Sequence, residues 1–158
     1  MNWYLIQTIF NSEFKAKMNL ERQNFFTYFP RYIKKIKKTQ QYVKVIKPLF
    51  PGYVFILMDI KSTNWSVINS TYGVKNIISS GLEPVEVPKN IIEELKMREN
   101  IEGITNIKPH ISSDIGDKIE INKGVFAGKY GIFDGLTADN RIKILFNFMG
   151  KEHNLLLS

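Results

Sequence analysis

Pro48-Leu49-Phe50-Pro51-Gly52-Tyr53-Val54-Phe55-Ile56-Leu57-Met58 turns first and then runs as an unbroken apolar strand. Pro48 and Pro51 bracket Leu49-Phe50, and Gly52 permits a turn. Tyr53 to Met58 is apolar throughout, which fits a strand covered on both faces. Along it Tyr53, Phe55 and Leu57 point one way, and Val54, Ile56 and Met58 the other. One row can face the helices of the domain. The other is either a second core row or an exposed aromatic patch for a protein partner.

Upstream, Trp3 to Ile9 is rich in β-branched and aromatic residues and reads as a strand. Asn11-Ser12 offers a helix N-cap, and a helix is expected from about Glu13 to Phe25. Phe14, Met18 and Phe25 form one apolar group on it, and Ala16 and Leu20 another. Between them lie Lys15, Asn19, Arg22 and Gln23, spaced so that they share one face. Two cations and two amides on a face suit phosphate contacts and base-edge hydrogen bonds. An ordinary solvated face has the same pattern.

Pro30 marks a break. Arg31 to Ile36 and Val43 to Ile46 read as paired strands, with Lys34 to Gln41 as an exposed basic hairpin. Trp65 to Asn69 suggests a short helix and Val74 to Ile78 a strand. Pro88, then Asn90 with Glu93, opens a helix through Arg98. This interleaving of strands and helices predicts an α+β domain over residues 1–100, a mostly antiparallel sheet flanked by helices. Residues 101–114 read as a linker. Beyond it Lys118 to Asn122 alternates, glycines recur at 124, 128, 131 and 135, and Arg141 to Phe146 alternates and then fills in. Residues 115–158 are therefore expected to form a small all-β barrel.

The 158 residues include no cysteine, which excludes disulfides and thiol metal sites. His110 and His153 each stand without a second ligand at a metal-binding spacing. No glycine-rich loop leads into a helix, and no catalytic constellation is present. No enzyme activity, cofactor or metal is expected. No apolar run is long enough to span a bilayer and the N-terminus is not leader-like, so a cytoplasmic protein with no membrane partner is expected. The net charge of +7 is uneven: residues 1–58 hold ten Lys/Arg against two acids. Localised positive charge points to a polyanion partner.

The chain resembles the bacterial NusG family of transcription elongation factors, most closely the RfaH-type antitermination paralogues. The resemblance rests on Trp3-Tyr4-Leu5, Asn19 to Gln23, Pro30, the Pro48 to Phe55 segment, Ile68 to Val74 and Pro84 to Pro88. Gly116-Asp117-Lys118, Gly124 to Gly128 and Gly131-Ile132-Phe133 are similar to a KOW motif.

The resemblance implies an NGN domain (1–100), a linker (101–114) and a KOW domain (115–158). It implies a non-enzymatic factor, expected to be a monomer, that suppresses pausing and termination. Phe50, Pro51, Tyr53 and Phe55 fall where the family meets the clamp helices of RNA polymerase. Lys15, Asn19, Arg22, Gln23, Thr71, Tyr72 and Gly73 fall where the RfaH type reads the non-template DNA strand. Ribosomal protein S10 or Rho is the partner implied for the KOW domain.

The chain departs from the RfaH pattern at several points. Asn19 and Tyr72 replace more basic side chains, and Asn64-Trp65-Ser66 replaces a His-Thr-Thr run. The usual fifth barrel strand is expected to be short or missing. RfaH-type factors can switch the C-terminal domain to a helical form that hides the polymerase site. Lys47 stands where the fold-switching member carries an acid that pairs with an arginine resembling Arg141, and two cations repel. The expectation is therefore a β-barrel that is tethered rather than docked. The alternative function is a KOW-containing RNA-binding or ribosome-associated protein.

Overall fold

The computed structural model describes residues 1–105 and 137–150. In chain order the elements are β1 (Asn2–Thr8), α1 (Glu13–Glu21), β2 (Phe26–Tyr28), β3 (Arg31–Lys38), β4 (Gln41–Pro48) and β5 (Tyr53–Met58). They continue as α2 (Ser66–Asn69), β6 (Val74–Ile77), β7 (Ser79–Ser80), β8 (Glu83–Pro84), β9 (Glu86–Val87), α3 (Lys89–Met97), β10 (Ile104–Thr105) and α4 (Ala138–Met149). The architecture is α+β, as the sequence predicts.

Two compact units divide these elements. The first comprises Met1–Phe29, Pro51–Lys89 and the chain from Leu145. Its sheet has the order β2-β5-β1-β6, with β9 also on β1, and every pairing is antiparallel. The apolar strand β5 sits between β1 and β2, where both its edges find partners. Tyr4, Ile6, Ile56 and Met58 pack in one core with Ala16 and Leu20 of α1 and Ile68 of α2. The second unit comprises Pro30–Phe50 and Asn90–Ile144. There β3 and β4 form a hairpin through eight paired positions, and β10 adds in parallel to β3.

Helix α1 is shorter than expected. It ends at Glu21, and Asn24 takes φ +69°, a left-handed value that stops the helix. The chain then re-enters the sheet as β2, which the sequence pattern did not suggest. Ser12 occupies the N-cap position, but its hydroxyl donates to the Phe10 carbonyl instead of capping.

The larger correction concerns Arg141 to Phe146, which form part of α4 and not a strand. The Thr137 hydroxyl accepts the Asn140 N–H at 3.2 Å, an N-cap bond, and Asp139 lies in the positively polarised first turn. Arg141, Leu145, Phe146 and Met149 are buried. That spacing makes one helical stripe. The glycines at 124, 128, 131 and 135 all precede Thr137, so their helix penalty never falls on α4. The rest of the expected barrel, residues 115–136 and 151–158, lies outside the described residues. So does most of the expected linker. Among the described residues no helix is long and apolar enough to cross a membrane.

Candidate functional site

Two surfaces of the first unit carry the residues singled out in the sequence. Lys15 and Asn19 of α1, with Arg22 and Gln23 in the turn that follows it, meet the loop Thr71-Tyr72-Gly73. The Asn19 side-chain amide donates to the Tyr72 carbonyl at 3.1 Å, and its oxygen accepts from Arg22 at 3.2 Å. Gln23 donates to the Thr71 hydroxyl at 2.8 Å and to the Asn19 carbonyl at 3.1 Å. Both N–H groups of the Gln23 amide are thereby committed, and its carbonyl oxygen remains as an acceptor. The Lys15 ammonium lies 4.7 Å from the centroid of the exposed Tyr72 ring.

Thr71 is buried and bonded to Val67 and Gln23, so it positions the surface from beneath. Gly73 does the same by being small. Its φ is +96°, and a Cβ there would stand 2.8 Å from the backbone nitrogen of Ala16. Only glycine lets the loop approach α1 so closely.

Phe14 and Met18 belong to the same surface, although sequence reasoning did not place them there. They line a concavity of about 420 Å³ with Lys15, Asn19, Arg22 and Tyr72. Of the two apolar groups on α1, Ala16 and Leu20 are fully buried, whereas Phe14 stays 64% exposed. The helix thus spends Ala16 and Leu20 on the core and presents Phe14 and Met18 beside two cations, while Phe25 packs against the core. An apolar floor rimmed by cations and an exposed ring can take a planar base and its phosphates.

The second surface is the aromatic row. Phe55 pairs with Tyr28 across β5 and β2, their ring centroids 5.9 Å apart, and Trp3 meets Tyr28 edge-on at 6.4 Å. Tyr53 is met edge-on by Phe146 of α4 at 5.7 Å. Tyr53 and Phe55 are both buried, so in this form of the chain the row is a core row. Pro51 is exposed, and Phe50 is buried in the second unit. The expectation of a C-terminal region tethered rather than docked is corrected by this contact.

Within the second unit, Arg141 is 4% exposed. Its Nε donates to the Leu49 carbonyl at 2.8 Å, and Nη2 donates to the Tyr32 hydroxyl at 3.4 Å. The guanidinium carbon stands 4.9 Å from the Tyr32 ring centroid. A carbonyl and an aromatic face suit a planar cation of this kind. The repulsion expected from Lys47 therefore does not keep Arg141 out, and Lys47 itself is exposed.

Burial holds the Tyr53 phenol above the ordinary tyrosine range. Because the fold favours the protonated form, its stabilising contribution is complete below the unfolded value near pH 10. That contribution is lost as pH rises through the folded value. Ultraviolet titration of the full chain should show late-ionising tyrosines, with Tyr4 raised as well. Phe146→Ala should return the Tyr53 component to the ordinary range and leave that of Tyr4. Identical titrations for the two proteins would contradict the covering of Tyr53 by Phe146.

A family model described as "Transcription termination factor nusG" matches residues 1–96. Three proteins named transcription termination/antitermination protein NusG align along almost the whole chain. The Thermus thermophilus protein is 25% identical, covering 96% of this chain and 92% of its own length. Those of Staphylococcus epidermidis and Chlamydia trachomatis are each 26% identical, covering 95% of this chain and 88% and 87% of their own. A solved structure titled "Domain interaction in Thermotoga maritima NusG" is 24% identical, with a TM-score of 0.43, covering 80% of this chain and 75% of that one. The family match spans the β1–α3 region that carries both the helix-face surface and the aromatic row, and the chain belongs to the NusG family of transcription termination and antitermination factors.

Proposed function

We propose that the chain is an RfaH-type antitermination factor whose polymerase site is covered in the free protein. Tyr53 and Phe55, with Pro51 ahead of them, form the seat for the clamp helices of RNA polymerase. The face of Lys15, Asn19, Arg22 and Gln23, with Tyr72 and its supports Thr71 and Gly73, holds the non-template DNA strand. Recruitment suppresses pausing and termination. When α4 leaves, residues 115–158 take the KOW barrel form and engage a ribosomal or termination partner. The factor acts as a monomer in the cytoplasm.

The observation that carries this reading is the ring of Phe146 against Tyr53. An aromatic row of this size is a large apolar surface to leave in water, and the free chain covers it with its own C-terminal segment. Arg141 supports the same reading, since it fastens the start of α4 to the Leu49 carbonyl.

Pull-down of RNA polymerase by the full chain tests the proposal. With a non-template strand exposed, binding should be retained after nuclease treatment because the clamp contact is protein to protein. Complete loss on nuclease treatment would favour an RNA-binding or ribosome-associated protein instead.

A further inference from the structure

The β3–β4 hairpin plays no part in the reading above. From Arg31 to Phe50 the chain carries six lysines, one arginine and no acid. The two strands pair from Arg31↔Pro48 to Lys38↔Gln41, and the turn closes with Thr39 at φ +53°. Strand β10 covers the Arg31–Tyr32 end, and beyond it no third strand joins the hairpin among the described residues. Cross-strand partners share a face. Lys34, Lys38 and Lys47 therefore lie on one face, and Lys35, Lys37 and Lys44 on the other. All six are exposed, and no ion pair among the described residues involves any of them.

This arrangement opposes the stability of the free hairpin. Lys35 and Lys44 are direct cross-strand partners, and like charges so placed repel. A polyanion removes the repulsion. The distribution over both faces then selects among polyanions. A membrane surface or a single strand engages one side of a ribbon. A groove walled by two phosphate backbones engages both. The major groove of B-form DNA admits a two-stranded ribbon, whereas that of A-form RNA is too deep and narrow.

We propose that the β3–β4 hairpin is a second nucleic-acid site, separate from the α1 face, that enters the major groove of double-stranded DNA. The lysines of its two faces neutralise phosphates on the two strands, so the contact is independent of base sequence.

Fluorescence anisotropy of the full chain with a labelled duplex of mixed sequence, without polymerase, tests this. Lys34→Glu/Lys38→Glu alters one face and Lys35→Glu/Lys37→Glu the other. The second variant places an acid opposite Lys44, an attractive pair, so the hairpin is kept. Each double variant should weaken duplex binding at least ~10-fold near 0.1 M salt and flatten the log–log salt slope by about 2, the value for two phosphates each. A Lys15→Ala/Arg22→Ala protein should keep the steep salt slope of the wild type, which separates this site from the proposed non-template site. The proposal is overturned if only one face matters or if the hairpin variants bind as wild type. Equal or tighter binding of double-stranded RNA, of single-stranded DNA or of phosphatidylglycerol vesicles overturns it as well.

Discussion

Phe146→Ala should tighten binding of the free chain to RNA polymerase by roughly 100-fold. The side chain is 5% exposed and meets Tyr53 edge-on. Truncating a buried phenylalanine costs on the order of 3 kcal/mol, here subtracted from the covered form only. An affinity limited by the open fraction rises by the same factor until that fraction saturates. Phe146 is not assigned to the polymerase seat, so the change reports uncovering alone. Arg141→Lys should act in the same direction and more weakly, because an ammonium lacks the planar fork that serves both the Leu49 carbonyl and the Tyr32 ring. Equilibrium binding to core polymerase measures both. Unchanged or weaker binding of Phe146→Ala would contradict the covered site.

The second large effect belongs to the α1 face. Lys15→Ala/Arg22→Ala should weaken binding to a polymerase complex with exposed non-template strand by about 10-fold or more at low salt, through the loss of two phosphate contacts. The deficit should shrink as salt rises. Gln23→Ala should act differently. Its N–H groups are held by Thr71 and Asn19, and the oxygen left over can only accept. The residue therefore selects a base edge that donates, an exocyclic amine, and its loss should relax base preference with little change in salt slope. Competition with strands substituted one base at a time reads this out. Equal binding of wild type and the double variant at low salt would remove the helix face from the interface.

Much of the site was readable because helical spacing is rigid. Lys15 and Asn19 share a face on α1, and hydrogen bonds to Asn19 keep Arg22 and Gln23 beside them in the turn after Glu21. Strand β5 was equally legible, its six apolar residues leaving no solvent face. The loop contact was not, since Asn19 and Tyr72 are 53 positions apart and meet through a backbone carbonyl. Local pattern groups Phe14 and Met18 as apolar but does not contain the approach of Gly73 to Ala16, which sets Tyr72 beside them. Helix α4 was misread because its sequence satisfies two periods. Ile142, Ile144 and Phe146 alternate as in a strand, while Arg141, Leu145 and Met149 repeat every four residues as in a helix. What decides between them is the cap at Thr137 and the partners that Arg141 and Phe146 find, none of which a local pattern contains. Charge sign alone does not place Arg141 for the same reason, because the Leu49 carbonyl and the Tyr32 ring are among its contacts.

Backbone chemical shifts of residues 138–149, recorded on the full chain before and after RNA polymerase is added, test the central claim most directly. Helical shifts are expected in the free chain, with the helix lost when the clamp helices take its place over Tyr53. Strand or unstructured shifts in the free chain, or a helix that persists unchanged in the polymerase-bound protein, would contradict the account.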